Sequence, residues 1–139
     1  MTDAIRPMPR VYGEAKPFWD SCREQRLRLQ RCASCQTWRF PPGLVCRHCS
    51  STEAEWIEVS GRGSIHSLTV VHRTPITAFI EELPYTLALV DLDEGVRLMA
   101  RISGASVTPP IGTRVEVVFE HIHDDVTLPT FREVISNDG

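Results

Sequence analysis

Four of the five cysteines in this 139-residue sequence lie between residues 32 and 49. Cys32 and Cys35 form one CxxC pair, and Cys46 and Cys49 form a second after a spacer of ten residues. A CxxC turn brings two thiolates together, so two such turns on neighbouring hairpins can complete a tetrahedral shell of four sulfurs. The spacing therefore predicts one metal site that uses all four cysteines.

Zn²⁺ is the metal that this ligand set favours, although rubredoxin-type iron sites share the same four-thiolate chemistry and iron stays open. Four thiolates leave no coordination position for water or substrate, so we expect a structural metal whose binding supports folding. Unliganded cysteines are the alternative, as is a redox dithiol, which needs only one CxxC. His48 lies inside the second pair and is predicted to be a surface residue.

The bulk composition describes an ordinary globular chain with 42% hydrophobic and 24% charged residues. The net charge is −3, and fourteen of the fifteen basic residues are scattered arginines, which disfavours a nucleic-acid surface. The N-terminus lacks the apolar core of a secretory signal, and no run approaches the length of a membrane span. We therefore expect a cytoplasmic protein, in which cysteines are more suited to metal than to disulfides.

The N-terminal region is predicted to contain an arm and a short helix. Residues 1–13 hold little pattern and are expected to form a mobile or partner-docking arm. From Glu14 to about Leu27 the sequence predicts an amphipathic helix, because Pro17 suits a first helical turn. The side chains that recur near helical spacing are Phe18, Cys22, Gln25 and Leu29. Cys22 is accordingly predicted to be a small apolar face residue rather than a reactive thiol.

The rest of the chain shows the residue pattern that is typical of β-strands. LRLQR (27–31) is predicted to be a strand that enters the first CxxC, and Trp56, Ile57 and Val59 open a region of alternating β-branched runs. These runs cover residues 63–73, 85–92, 96–104, 113–122 and a last one near 130–136. The Asp93-Glu94-Gly95 turn joins two of them as a hairpin. Five strands without a long intervening helix predict a small closed or partly closed barrel.

The order of these motifs resembles the acyl-CoA-associated zinc-ribbon/OB-fold proteins, a family described as DUF35. The resemblance covers roughly residues 14–134, and the downstream motifs make it more specific than two CxxC pairs alone. The matching stretches are PFW (17–19), LRLQRCASC (27–35), RFPP (39–42), CRHC (46–49), Trp56 with VSGRGSIHSLTVVHR (59–73), LPYTLALVDLDEGVRLMARISG (83–104), IGTRVEVVFE (111–120) and LPTFRE (128–133). One departure is that Gln36 and Ser50 follow the CxxC pairs, where such turns favour glycine.

The resemblance implies a mainly β protein. Its expected parts are an N-terminal arm and helix (1–29), a rubredoxin-like zinc ribbon (30–52) and a five-stranded OB-fold barrel (53–139). Members of the family look like non-catalytic partners of thiolase-like enzymes, of lipid-transfer-type aldolases that cleave steroid side-chain thioesters, and of MaoC-type hydratases. A hetero-oligomer that binds or shields acyl-CoA in lipid or steroid metabolism is therefore expected. A thiolase or thiolase-fold aldolase is favoured as the partner because the module stands alone in this sequence.

The sequence offers no constellation for catalysis by this chain alone, since GxSxG, Walker and GxGxxG motifs are absent. His66 and His72 are predicted to share one strand face, which is more typical of polar surface than of a site. The carboxylates around Asp93 are explained by the turn, and HIHDD (121–125) is predicted to be a polar hairpin tip rather than a metal site. Gly61-Arg62-Gly63 is predicted to be a kink or bulge where a strand begins.

A CoA ester needs cationic donors for its phosphates and an apolar groove for its acyl part. The candidate residues for contacts with acyl-CoA or a partner are Phe18, Trp19, Trp38, Arg39, Phe40, Pro42 and Arg62. Packing between helix, ribbon and barrel is the alternative for each aromatic. For the whole chain, the alternative is a single-stranded nucleic-acid-binding ribbon and OB-fold module, which would need a basic groove with exposed aromatics.

Overall fold

The computed structural model describes residues 6–103 and 108–134. Its elements in chain order are a 3-10 turn (Gly13–Ala15), α1 (Lys16–Arg23), β1 (Arg28–Cys32), β2 (Trp38–Arg39), β3 (Ala54–Glu58), β4 (Arg62–Val71), a 3-10 helix (Thr77–Glu82), β5 (Tyr85–Leu92), β6 (Arg97–Ser103), β7 (Arg114–His123) and β8 (Val126–Glu133). In these two described ranges, no helix is long and apolar enough to cross a membrane.

The strands form two sheets. A three-stranded antiparallel sheet has the order β2-β1-β3, and the remaining strands close a barrel in the order β4-β5-β6-β8-β7. The barrel is antiparallel except where β6 and β8 run parallel at Ile102 and Phe131. The predicted mainly β fold, with a short N-terminal helix and a five-stranded C-terminal barrel, is confirmed.

Alternation along the barrel strands builds the core. In β5, from Tyr85 to Leu92, every second side chain is buried, because successive side chains of a strand point to opposite faces. Phe131 of β8 is fully buried among these inward residues. The turn between β5 and β6 has Gly95 at a φ of 100°, which confirms the hairpin predicted there.

The helix is shorter than predicted. A 3-10 turn precedes α1, which ends at Arg23, and the chain then turns at Gln25 with a φ of 61°. Phe18 and Cys22 face the core as expected, but Gln25 is exposed and Leu29 belongs to β1. The left-handed conformation at Gln25 ends the helix. The apolar residues beyond it keep a helical spacing only by chance.

The strand β3 pairs with β1, so Trp56 lies opposite Gln30 in the ribbon sheet rather than opening the barrel. The prediction that placed Trp56 and Ile57 at the start of the barrel is wrong, because strand pairing is non-local and alternation does not reveal the partner. The segment that links β3 to the barrel begins at Val59, whose backbone N–H donates a hydrogen bond to the Leu27 carbonyl. The predicted domain limits at 29 and 52 stay predictions.

The start of β4 is held very close to β5. A Cβ on Gly63 would lie 2.3 Å from the backbone oxygen of Asp91, so only glycine fits between these strands. Gly61, with a φ of 75°, precedes the strand. The predicted strand-entry kink is confirmed. Further along β4 the register shifts between Ile65 and Ser67, and His72 follows the strand end, so the expected common face of His66 and His72 is not continuous.

The last strand begins earlier than predicted, at Val126 instead of about residue 130. Pro129 lies within it, paired with Phe119 of β7. Among the described residues, β8 pairs with β6 only at Phe131 and Arg132, so Pro129 has no ladder partner on the β6 side. Residues 135 and 136, at the end of the predicted run, lie outside the described residues, as do residues 1–5 of the predicted arm.

The helix α1 connects the two sheets. It packs on β1 of the ribbon and on β7 and β8 of the barrel. Phe18 lies at the centre of this junction, with its ring 5.0 Å from Trp19 and 5.4 Å from Phe40 of the ribbon. Helix, ribbon and barrel therefore share one apolar contact region.

Candidate functional site

The four paired cysteines converge at one end of the ribbon sheet. Their sulfur atoms all lie within 4.8 Å of one another. Cys32 Sγ is 3.5 Å from Cys49 Sγ, and Cys35 Sγ is 3.6 Å from Cys46 Sγ. A tetrahedral ion with metal–sulfur bonds near 2.3 Å would separate its ligands by about 3.8 Å. The cluster therefore fits a closed four-sulfur metal site.

The two CxxC turns have the same backbone geometry. Gln36 N–H donates to Cys32 O at 2.8 Å, and Ser50 N–H donates to Cys46 O at 2.9 Å. Gln36 and Ser50 have φ values of 64° and 65°. Both positions are therefore left-handed, as the turns require, although neither residue is glycine. A non-glycine residue adopts this conformation at a cost of about 1–2 kcal/mol.

The pKa values of the clustered thiols also favour binding of a cation. The backbone N–H of Cys35 lowers the pKa of Cys32 to about 6, because it stabilises the thiolate. For Cys49, the N–H of Ser51 lowers the pKa, but the neighbouring sulfurs outweigh it and raise the pKa to about 12. Four adjacent sulfurs cannot all ionise alone, and a divalent ion removes that conflict.

Cys22 is separate from this cluster and fully buried in the core. Burial raises the pKa of its thiol to about 12, so almost no thiolate exists near neutral pH. Its predicted role as a small apolar residue is confirmed.

The metal-loaded chain is expected to leave Cys22 unmodified by iodoacetamide at pH 8, because both access and thiolate are lacking. Peptide mapping by mass spectrometry checks the result. The same reagent in guanidinium with a chelator serves as the control and should alkylate all five cysteines. Rapid labelling of Cys22 in the folded chain would contradict the prediction.

A mostly apolar cavity of about 340 Å³ lies where α1, the ribbon and the barrel meet. Its lining residues are Arg6, Phe18, Trp19, Phe40, Phe79, Tyr85, Leu87, Met99, Ala100, Arg101, Glu120, Leu128, Pro129 and Thr130. Met99 is 63% exposed beside it, although it is a large apolar side chain. An opening of this size and chemistry suits a small apolar group.

The two arginines that line this cavity share one carboxylate. Glu82, in the 3-10 helix before β5, forms ion pairs with both Arg101 (2.5 Å) and Arg6 (3.9 Å). The guanidinium of Arg101 stacks 4.2 Å from the Tyr85 ring centroid, and that of Arg6 lies 5.1 Å from that of Phe79. Arg6 of the predicted arm thus contacts the 3-10 helix that precedes β5.

A second, more polar cleft of about 610 Å³ runs along the ribbon. Its lining residues are Thr37, Trp38, Arg39, Phe40, Pro41, Pro42, Gly43, Val45, Cys46, Arg47 and His48. Arg39 Nη1 donates to Gly43 O at 2.6 Å, whereas its Nε and Nη2 are buried without a hydrogen-bond partner. His48 is exposed, as predicted.

The structure brings most of the predicted ligand or partner residues to these two openings. Phe18 and Trp19 line the apolar cavity, Trp38, Arg39 and Pro42 line the cleft, and Phe40 lines both. Phe18 is also 4% exposed and packs in the core. Arg62 lines neither opening; it lies at the start of β4, where its carbonyl accepts a hydrogen bond from Asp93 N–H.

Sequence reasoning missed the barrel wall of the apolar cavity. Tyr85, Leu87 and Met99 look like ordinary alternating strand residues, and nothing local marks them. Arg47 was also missed. The signal that could have found it is its position next to a cysteine in the same ribbon loop as Arg39, because that loop must fold back on the metal site.

The remaining polar candidates have structural partners. Asp91 pairs with Arg97 and Asp93 pairs with Arg114, and each arginine lowers the pKa of its carboxyl partner. Glu94 accepts a hydrogen bond from the Ser60 N–H. These carboxylates thus stabilise the β5–β6 turn and the strands beside it. The HIHDD segment ends β7 and forms the turn into β8, which confirms the hairpin tip.

Comparisons with known proteins match both parts of the chain. Residues 19–55 match the ChsH2 rubredoxin-like zinc ribbon domain, and residues 56–120 match the ChsH2 C-terminal OB-fold domain. A DUF35 domain-containing scaffold protein of Methanocaldococcus jannaschii is 37% identical over 97 residues, which is 68% of each chain.

A probable enoyl-CoA hydratase alpha subunit of Thermomonospora curvata is 37% identical over 95% of this chain. The chain spans only 41% of the length of that relative. A solved structure described as the Ltp2-ChsH2(DUF35) aldolase contains a chain that is 36% identical, with a TM-score of 0.82 over 92% of this chain and 100% of that one. The present chain belongs to the DUF35 family of zinc-ribbon and OB-fold proteins.

Proposed function

We propose that this chain is a non-catalytic accessory subunit of an enzyme that processes acyl-CoA thioesters. It binds or shields the acyl-CoA and completes or stabilises a thiolase-like enzyme or a steroid side-chain aldolase. The observation that carries the proposal is the junction of helix, ribbon and barrel, where an apolar cavity adjoins a cationic cleft. The names of the relatives, as scaffold, hydratase subunit and aldolase component, support the same role.

The side chains of the chain itself support an accessory role rather than catalysis. Within residues 6–103 and 108–134, no serine or cysteine side chain is hydrogen-bonded to a histidine ring. His66 Nδ1 lies 3.5 Å from Asp91, a partner that could orient a base, but no nucleophile accompanies the pair. His121 Nδ1 is 3.5 Å from the Thr127 hydroxyl across a strand pair, which is too far for an activating hydrogen bond.

For the metal, we propose Zn²⁺ bound by Cys32, Cys35, Cys46 and Cys49, with a structural role. The sulfur spacing and the match to a zinc ribbon domain support this assignment. A metal held by these four cysteines would fix residues 37–45 between the two turns, and these residues form much of the cleft wall.

The test is co-expression with thiolase-like or aldolase proteins encoded beside this chain, followed by size-exclusion chromatography and an assay of acyl-CoA cleavage. A stable hetero-oligomer is expected, with cleavage at least about tenfold faster than for the partner alone, since a completed binding site contributes more than about 1.4 kcal/mol. The partner and this chain, each alone, are the controls. Salt-sensitive binding of single-stranded DNA with no enzyme partner would instead support the nucleic-acid module and contradict the proposal.

A further inference from the structure

The ribbon cleft and the apolar cavity share one lining residue, Phe40. One ligand could therefore occupy both openings. Their volumes, about 610 and 340 Å³, each lie within the usual range for small-molecule sites. Their chemistry differs, because polar and cationic residues line the cleft whereas apolar strand and helix residues line most of the cavity.

The charges distinguish the two openings further. At the cavity, Arg6 and Arg101 share the carboxylate of Glu82, and Glu120 also lines the opening. At the cleft, by contrast, Arg39 and Arg47 form no ion pair with any residue in the described part of the chain, and no carboxylate lines the cleft. This local positive charge stands against a net charge of −3 for the whole sequence.

Arg39 adds a second observation at the cleft. One of its nitrogens donates to Gly43 O, but Nε and Nη2 are buried and lack an acceptor. A buried donor without an acceptor costs about 1–3 kcal/mol, and more when it is charged. Such donors are rare in native proteins unless a water, an ion or a ligand supplies the acceptor. Because both nitrogens have almost no exposed surface, an anionic group in the cleft reaches them only when the Arg39 side chain rotates toward the opening.

We propose that the two openings hold the two ends of one acyl-CoA molecule. The phosphates and adenine lie in the ribbon cleft near Arg39 and Arg47, and the acyl group lies in the apolar cavity. The pantetheine arm crosses Phe40 between them. This inference rests on the proposed function and adds the direction in which the ligand lies.

The reverse direction is disfavoured by the same chemistry. Phosphates in the cavity would face Glu120 and two arginines that already pair with Glu82, and they would lose water against Leu87 and Met99. An acyl group in the cleft would leave Arg39 Nε and Nη2 without an acceptor and would leave Arg39 and Arg47 without a counter-charge. Arginine forms forked contacts with phosphate oxygens, and Trp38 offers an aromatic face for the adenine.

The test is calorimetric titration of the zinc-loaded full chain with free coenzyme A and with octanoyl-CoA. Octanoyl-CoA is expected to bind at least about tenfold more tightly, because several methylene groups become buried. Arg47→Gln should lower the affinity for both ligands by the same factor, about fivefold to tenfold, because it removes a phosphate contact. Arg73→Gln, an exposed arginine that lines neither opening, is the matched control and should change neither affinity.

Leu87→Gln should leave the affinity for free coenzyme A unchanged. It should remove most of the difference in affinity between octanoyl-CoA and free coenzyme A. Met99→Gln, at an exposed position of the same wall, should give the same pattern even if Leu87→Gln fails to fold. An Arg47 variant that affects only octanoyl-CoA would overturn the inference, and so would absence of saturable binding of either ligand. Association with the enzyme partner, measured without CoA, tests the accessory role separately, so failure of one proposal is distinguishable from failure of the other.

Discussion

Replacing Cys32 with alanine is expected to release about one metal ion per chain and to destabilise the fold severely. Cys32 is the last residue of β1, the central strand of the ribbon sheet, and it is fully buried. Its sulfur contacts Cys49 of the other CxxC turn. Loss of one thiolate therefore opens the shell and separates the two turns. Structural zinc in zinc-finger peptides has apparent binding free energies of about 10–16 kcal/mol, so loss of the metal should cost far more than loss of one buried side chain.

Metal content by elemental mass spectrometry and unfolding by circular dichroism check this result. Cys22→Ala is the matched control, since it removes a buried cysteine outside the sulfur cluster. That variant should retain one metal ion and lose only about 1 kcal/mol of stability, as typical point variants do. A Cys32→Ala protein with full metal content and unchanged unfolding would contradict a structural role for the metal.

The second large effect is expected for Phe18→Ala. Phe18 is 4% exposed and contacts Trp19 and Phe40, so its ring joins helix, ribbon and barrel. Truncation of a buried phenylalanine costs about 3–5 kcal/mol, through lost burial and the cavity that remains. Denaturant unfolding of the metal-loaded chain measures the change in free energy.

Trp19→Ala is the matched control for this prediction, because Trp19 lies beside Phe18 but is only half-buried. It should cost clearly less stability than Phe18→Ala. If both variants lost the same small amount, below about 1 kcal/mol, the packing account of the junction would be wrong. Phe18 would then be better explained as a contact residue for a ligand or partner than as a core residue.

The parts of the fold that depend on local pattern could be predicted from the sequence. Two CxxC pairs were enough to place the sulfur cluster, and the alternation from Tyr85 to Leu92 was enough to place a half-buried barrel strand. The Asp93-Glu94-Gly95 turn gave the hairpin. In each case, the residues that determine the structure lie within a few positions of one another.

The features that depend on distant contacts could not be predicted. Ala54–Glu58 pairs with β1 across the whole ribbon, and no local signal distinguishes that pairing from one with the barrel. The same limit applies to the apolar cavity, whose wall combines helix, ribbon loop and four barrel strands. The Glu82 ion pairs with Arg6 and Arg101 likewise join residues that lie far apart in sequence.

The packing of α1 against β8 has a consequence for how the protein is made. The ribosome delivers the ribbon cysteines early, so the metal turns can form while the barrel is still being synthesised. The helix cannot complete its packing on the barrel until β8 leaves the ribosome. Until then the cavity also lacks the part of its wall formed by Leu128 and Thr130. Such long-range closure is slow and leaves apolar surface exposed in the meantime. A nascent chain stalled before β8 should therefore bind metal yet depend on chaperones, and it should become competent for ligands only on completion.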